Sequence, residues 1–181
     1  MGRWAKVRWT EAGQVARLLG WAAPDDPLAA PDAFFDDLRS AGRLREAAYF
    51  LGQALPRYEA VVWASAAVRH LSPPDQQDPA LDAALAWVSD PSEPRRRAAY
   101  EAASAADPQS PGRVAALAAY FSGGSISPEG QAAVPAPPTT AGRLGAAAVV
   151  MAAVRTDNHS GALAWALDQG NRIAAEGASR P

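Results

Sequence analysis

The sequence contains no cysteine, which excludes disulfide bonds, thiolate catalysis and zinc sites built on sulfur. Lysine is nearly absent as well, because Lys6 is the only one and arginine carries almost all the positive charge. The 17 basic residues are outnumbered by 19 acidic ones, so the net charge is −2. Nucleic-acid-binding domains normally gain affinity from a basic face that releases counterions, so we expect no nucleic-acid partner.

Long apolar runs are also missing. The longest run, residues 144–154, is far shorter than the roughly 18 residues that a membrane-spanning helix needs. The first residues are basic but lead into no apolar stretch, which argues against a signal peptide. Lys6 also stands where a myristoylation signal has Ser or Thr. We therefore expect a cytoplasmic protein with no membrane span.

Groups for catalysis or metal binding are scarce. His70 and His159 are the only histidines, and neither has a companion ligand nearby in the sequence, which favours capping or surface roles. Ser65 lies near His70, but no positioned acid completes a triad. The acidic pairs at 25–26 and 36–37 are typical of turns and surfaces. We predict no catalytic residue, no cofactor and no metal site.

The sequence is rich in signals for helix ends. Asp78, Asp90 and Ser110 each precede a proline, an arrangement typical of an N-cap followed by the first helical turn. Gly42 and the pair Gly123-Gly124 follow helical segments and are typical stops. The Leu55-Pro56 step, with no polar loop, predicts a sharp corner between consecutive helices.

Apolar residues between these signals recur with helical spacing, and no stretch alternates like a strand. We predict an all-α fold, an irregular multi-helix bundle or a short array of antiparallel helical pairs, with about eight to nine helices. The predicted helices lie near 10–20, 32–41, 43–55, 57–71, 79–89, 92–106, 111–121, 141–155 and 161–176. Segment 144–154 is apolar all round, which predicts a helix at the buried centre.

The predicted organisation is an N-terminal arm with the first helix (1–30), followed by a helical domain (31–181), together forming one domain. A Gly/Ser/Pro-rich loop at 122–139 interrupts the helices, and a loop of this length is usually functional or mobile. Its first residues, 122–125, fit a helix-terminating turn better than an anion-binding nest, since phosphate loops precede helices. The arginines at 95–97 predict a solvated helix surface, because consecutive residues point in different directions.

Tryptophan is the most informative residue type. Trp63 and Trp87 fall on apolar helical stripes and are predicted to be core residues. Trp4, Trp9 and Trp21 cluster in the N-terminal segment among basic residues. Such an arm has the composition of an interface, since Trp and Arg are favoured anchors. Two alternatives stay open, one in which the arm docks a partner and one in which it folds back onto its own bundle.

Four segments resemble a known family. They are residues 46–64 (EAAYFLGQALPRYEAVVWA), 86–99 (AWVSDPSEPRRRAA), 119–128 (AYFSGGSISP) and 135–154. Together they resemble an uncharacterised family of small, Ala-rich bacterial proteins over roughly residues 30 to 155. Val62 stands where the family usually has a first tryptophan, and Tyr120-Phe121 replaces its usual Phe-Trp. These departures weaken the idea of a dedicated tryptophan site but leave a core role intact.

The resemblance implies a biological setting and no chemistry. The genes of this family often lie near bacterial type VI secretion components, and some members carry misleading labels as twin-arginine signal proteins. We therefore expect a non-enzymatic accessory or adaptor that binds protein partners, with a role in assembly or effector loading of a secretion apparatus. The alternatives are a self-associating structural subunit, which would form a homo-oligomer, and an enzyme of unknown class. The candidate partner-binding residues are Trp4, Trp9, Trp21, Arg57, Ser122, Gly123, Gly124 and Ser125.

Overall fold

A computed structural model describes residues 3–128 and 130–178. Within these ranges the chain forms nine α-helices, and the pairing of strand-like segments is limited to one isolated antiparallel bridge between Ser125 and Pro135. The all-α prediction is confirmed. The helices are α1 (Ala12–Leu19), α2 (Pro31–Ser40), α3 (Leu44–Ala54), α4 (Arg57–Leu71), α5 (Pro79–Ser89), α6 (Glu93–Ala105), α7 (Pro111–Tyr120), α8 (Thr140–Val154) and α9 (His159–Glu176).

Two of the three capping signals act as predicted. The Asp78 carboxylate accepts a hydrogen bond from the backbone N–H of Leu81, 3.0 Å away, at the start of α5. The Ser110 hydroxyl accepts from the N–H of Gly112 at 3.1 Å at the start of α7. These bonds satisfy amides of the first turn that have no partner inside the helix.

The third predicted N-cap, Asp90, was wrong, because no helix begins directly after it. Asp90 is the C-cap of α5, and α6 begins at Glu93 with Ser92 as its N-cap. Asp90 uses its carboxylate to accept from the Ser92 hydroxyl at 3.1 Å, and its carbonyl accepts from the Ser92 N–H at 2.7 Å. Pro94, inside the first turn of α6, takes the place that Pro91 was predicted to fill.

Helix α8 lies at the centre of the fold, in contact with α3, α4, α7 and α9, as its all-round apolarity predicted. Its crossing with α3 is very close because both helices present a glycine there. A Cβ atom on Gly142 would lie 2.4 Å from the carbonyl oxygen of Gly52, and a Cβ on Gly52 would lie 2.6 Å from that of Gly142. The helices therefore touch backbone to backbone. Among the described residues, no helix is both long and apolar enough to span a bilayer.

The N-terminal arm folds back onto its own bundle, one of the two alternatives that the sequence left open. The Trp4 side chain is buried, with its ring centroid 5.1 Å from that of Phe35. Its indole N–H donates to the side-chain oxygen of Asn171 at 2.7 Å. The N–H of Lys6 donates to the carbonyl of Ala174 at 3.0 Å, which ties the arm to α9. Trp4 therefore serves the core, and only 6% of its surface is exposed.

Replacing Trp4 with phenylalanine tests this packing. We expect the free energy of unfolding to fall by about 1–2 kcal/mol, because the bond to Asn171 and part of the buried ring are lost. Urea denaturation followed by circular dichroism measures the change. The half-buried Trp9 offers the matched control, since Trp9→Phe should alter stability by only about 0.5 kcal/mol. Equal losses for the two variants would contradict a core role specific to Trp4.

Candidate functional site

The segment between α7 and α8 is an ordered loop over its described residues, 121–128 and 130–139. The N–H of Ile126 donates to the carbonyl of Val134 at 2.8 Å. The Ser125 hydroxyl accepts from the N–H groups of Ser127 and Val134, both at 3.1 Å. The loop therefore doubles back on itself as a short hairpin. From the sequence alone, it was undecided whether the loop at 122–139 is ordered.

A buried arginine holds this loop against α6. Arg96 is only 3% exposed. Its guanidinium donates to the carbonyl oxygens of Tyr120 and Ser125, both at 2.6 Å, and so grips the loop at two points near its start. It also lies over the Tyr120 ring, 4.6 Å from the centroid, in a cation–π contact. The prediction that residues 95–97 form a solvated surface was therefore wrong for Arg96.

Glu93, one turn earlier on α6, completes the anchor. Its two carboxylate oxygens each accept from the Arg96 guanidinium at 2.7 Å, a bidentate pairing. Arg97 adds a second contact to the same carboxylate at 2.9 Å and donates to the carbonyl of Ser127 at 3.2 Å. The hydrogen bond from Arg96 is the main reason that the pKa of Glu93 lies below its usual range, and the same bond raises the pKa of Arg96.

This lowered pKa predicts a loss of stability in acid. Glu93 contributes fully to the free energy of unfolding above the usual glutamate pKa, about 4.3. This contribution is lost as the pH falls through the lower pKa that Glu93 has in the folded state. Because the Glu93 side chain is 49% exposed, water screens the pair and we expect a modest effect. When the pH is lowered from 7 to near 3, the urea midpoint of the wild type should fall further than that of Glu93→Gln. Equal falls would show that the pairing does not contribute to the pH dependence.

The anchored loop forms one wall of a cleft of about 470 Å³, here called the loop cleft. Tyr58 and Trp87 form its aromatic side, with ring centroids 5.8 Å apart. Residues 122–124 also line the cleft. Gly124 is required where it stands, since its φ is +64° and a Cβ there would lie 2.8 Å from Nε of Arg96.

Five of the predicted partner-binding residues come together at this loop. The Arg57 guanidinium, at the start of α4, donates to the carbonyl of Ser122 at 3.3 Å. Gly123 and Gly124 follow in the cleft wall, and the Ser125 carbonyl is held by Arg96. The Ser122 hydroxyl donates to the carbonyl of Ala119 at 2.7 Å, so this end of the segment closes α7 as a helix-terminating turn, as predicted.

The remaining tryptophan candidates lie apart. Trp9 lines a different cleft together with Arg57, and Trp21 lines a groove with Tyr49 and Arg143. Both side chains are half-buried. The three tryptophans that cluster in the N-terminal sequence are thus divided among the core and two separate surfaces. The core predictions for Trp63 and Trp87 are confirmed, at 0% and 6% exposure.

The groups weighed for chemistry do not assemble. Ser65 is fully buried in the core, whereas the exposed His70 stacks on Trp165 with centroids 3.8 Å apart. Asp36 forms an ion pair with Arg3 at 3.1 Å. Among the described residues, no three His, Asp or Glu side chains lie close enough together to hold a metal ion.

Sequence reasoning missed the residues that build the loop cleft. Tyr58, Trp87, Glu93 and Arg96 were not among the predicted site residues. The spacing of Glu93 and Arg96, three residues apart on a helix, signals an ion pair. This spacing does not show that Arg96 is buried, because Arg95 and Arg97 have similar local patterns. The burial of Arg96 depends on the distant loop.

Comparison with known proteins assigns a family. The model of a family of unknown function, DUF6931, matches residues 34–174 and so covers most of the chain. No curated protein and no solved structure matches it significantly. The match begins inside α2 and includes every residue of the loop and its arginine anchor, while the N-terminal arm lies outside it. The resemblance to an uncharacterised family is confirmed in this form: the chain belongs to the DUF6931 family.

Proposed function

We propose that the protein is a non-enzymatic accessory or adaptor that binds a protein partner through its loop face. The loop face is the surface made by the described residues of the loop (121–128 and 130–139), the loop cleft and Arg57. It brings backbone groups, an aromatic pair and a cation together on one rigid support. Such a combination suits recognition of a protein surface, where aromatic residues and arginine supply most of the binding energy.

The observation that carries this proposal is the burial of Arg96. Removing a guanidinium from water is costly and is offset only by well-made hydrogen bonds. Here those bonds go to the carbonyls of a surface loop and to Glu93. The burial thus fixes the shape of an otherwise polar, proline-rich segment. Loops held rigidly on a helical scaffold are typical binding elements.

Two further considerations support a binding role. The Ser122 hydroxyl is engaged by the α7 carbonyl of Ala119, which disfavours it as a nucleophile. The resemblance described above implies a bacterial setting near type VI secretion genes. We therefore propose that the partner is a component or effector of such a secretion apparatus.

Site-specific photocrosslinking in the native cell tests the proposal. A benzophenone residue at position 123 should be tolerated, since a Cβ on Gly123 meets nothing within 4 Å. The matched control is Ser160, an exposed residue in the first turn of α9. It follows the far end of α8, a helix about 22 Å long that starts where the loop ends. We expect a discrete heterologous adduct from position 123 and none from position 160. Equal yields, or no adduct from either site, would contradict a partner at the loop face.

Self-association is the second candidate. It is favoured by two exposed apolar side chains, Val134 on the loop at 48% and Tyr100 on α6 at 45%. Exposed apolar groups are a common feature of oligomer interfaces. The same crosslinking experiment separates the two functions, because an adduct of twice the chain mass identifies a second copy as the occupant.

A further inference from the structure

A second cleft lies where the arm meets the corner between α3 and α4. This arm cleft has a volume of about 310 Å³, at the lower end of the roughly 300–1,000 Å³ that is usual for ligand pockets. The arm contributes Arg8 and Trp9, and the α3–α4 corner contributes residues 52–57. Pro138, near the end of the loop, and Gly142, in the first turn of α8, also line it. The cleft is therefore large enough for more than a single small ion.

The arm cleft is electrostatically one-sided. Arg8 and Arg57 both line it, and no Asp or Glu is among the described residues that do so. The Arg8 guanidinium lies over the Trp9 ring, 4.4 Å from its centroid, which orients the charge. Helix α4 begins here with Pro56 as its N-cap, and no side chain caps its first amides. The positive end of the helix dipole adds to the two guanidinium charges.

The arm cleft also contains an unsatisfied amide. Gln53 is 7% exposed and lines the cleft, and within the described part of the chain its Oε1 has no hydrogen-bond partner. A buried polar atom without a partner costs about 1–3 kcal/mol. The terminal torsion of glutamine is broad and roughly two-fold, so the amide can turn its oxygen or its NH₂ toward the cleft. It can therefore both donate to and accept from an occupant.

We propose that the arm cleft binds an extended, carboxylate-bearing peptide segment of a protein partner. This inference rests on the proposed function and names the chemistry of its partner. The guanidinium groups of Arg8 and Arg57 pair with carboxylates of the segment. The amide of Gln53 pairs with a peptide group, which offers one N–H and one C=O. Trp9 and the two prolines contact its apolar side chains, in the manner of other clefts that hold extended peptides.

The direct test uses an array of immobilised hexapeptides in three matched sets. The same positions of the hexapeptide are fixed in every set, as glutamate in the first, glutamine in the second and lysine in the third. The remaining positions are varied. We expect the full-length protein to bind the glutamate set and to leave the other two at background. Binding to none of the sets, or equal binding to all three, would overturn the proposal.

Variants then assign the binding to this cleft. The strongest glutamate peptide, labelled with fluorescein, is titrated with each protein variant by fluorescence anisotropy. We expect Arg57→Gln and Arg8→Gln each to weaken binding roughly tenfold. The exposed Arg95 on α6 provides the control, and Arg95→Gln should bind as the wild type does. Unchanged affinity in the Arg57 and Arg8 variants would overturn the assignment.

Gln53→Leu separates binding from folding. Loss of an unsatisfied buried amide should leave thermal stability unchanged or raise it, while peptide affinity falls roughly tenfold. A purely structural glutamine would give lower stability with unchanged affinity, contrary to the proposal. Competition with free glutarate and with inorganic phosphate provides a further arm. Displacement by either at concentrations similar to the peptide's would mean a small-anion site and would also overturn the proposal.

The outcomes distinguish this inference from the proposed function. If crosslinking from position 123 captures a heterologous partner but the array shows no preference for acidic peptides, only the arm-cleft assignment fails. If crosslinking captures no partner, the proposed function fails, and peptide binding alone would not restore it.

Discussion

Replacing Gly142 with alanine is expected to lower the free energy of unfolding by about 3 kcal/mol. The added methyl group would lie 2.4 Å from the backbone carbonyl oxygen of Gly52, where no atom can fit. A flexible side chain could move aside, but this carbonyl belongs to the backbone of α3. Alanine favours helix formation by about 1 kcal/mol over glycine, so the expected loss is net of that gain. Urea denaturation monitored by circular dichroism measures it.

Two other glycines give a graded comparison. A Cβ on Gly145 would lie 3.1 Å from the carbonyl oxygen of Ala60, and a Cβ on Gly123 would meet nothing within 4 Å. We therefore expect Gly145→Ala to lose less stability than Gly142→Ala, and Gly123→Ala to lose none. A Gly142→Ala variant as stable as the wild type would mean that α3 and α8 do not cross backbone to backbone.

Replacing Arg96 with methionine is expected to destabilise the protein by about 3 kcal/mol. Methionine retains much of the apolar stem but leaves the carbonyls of Tyr120 and Ser125 without their donor. The cation–π contact with Tyr120 and the bidentate pair with Glu93 are lost as well. The same urea titration, followed by circular dichroism of the helices, measures the change.

The neighbouring arginine provides the control for Arg96. Arg95 has a 56% exposed side chain and one ion pair at 3.8 Å, with Asp90. Arg95→Met should therefore change stability by only about 0.5 kcal/mol. Arg96→Lys should rescue little, because a single ammonium cannot reproduce the planar fork that reaches three partners. Full rescue by lysine would show that charge alone, without the fork geometry, holds the loop.

Helix positions are largely predictable from this sequence because their ends are marked by local chemistry. Asp78 and Ser110 cap their helices through side-chain bonds to amides two or three residues ahead, an interaction that needs no tertiary context. The prediction failed at Asp90 because two prolines, Pro91 and Pro94, compete for the first turn of α6. The central position of α8 was predictable because it is apolar on every side.

The anchor of the loop was not predictable, and the reason is physical. Arg95, Arg96 and Arg97 differ little in local pattern. Only the return of the chain after α7 places the carbonyls of Tyr120 and Ser125, 24 and 29 residues away, around Arg96 alone. Long-range contacts of this kind leave no periodic signal in the sequence.

The clefts were accessible to sequence reasoning only in part. Arg57 and residues 122–125 were predicted together as partner-binding residues, and the structure brings Arg57 into contact with the first of them, Ser122. The arm cleft joins Trp9, Gln53 and Pro138 from three distant segments. Gln53 lies in a helix among apolar neighbours, and no local pattern shows that its Oε1 lacks a partner among the described residues of the folded chain. The close approach of α3 and α8 beside it depends on Gly52 and Gly142, and glycine is unfavourable in a predicted helix.

The central claim is that a buried arginine fixes the described residues of the loop between α7 and α8 as an ordered face. Amide hydrogen exchange measures this order directly, at the N–H groups of Ile126, Ser127 and Val134, which are bonded within the loop. We expect these amides to be protected in the wild type and in Arg95→Met, and to exchange much faster in Arg96→Met under conditions where the helices stay protected. Exchange at the unprotected rate in the wild type, or equal protection in Arg96→Met, would contradict the claim.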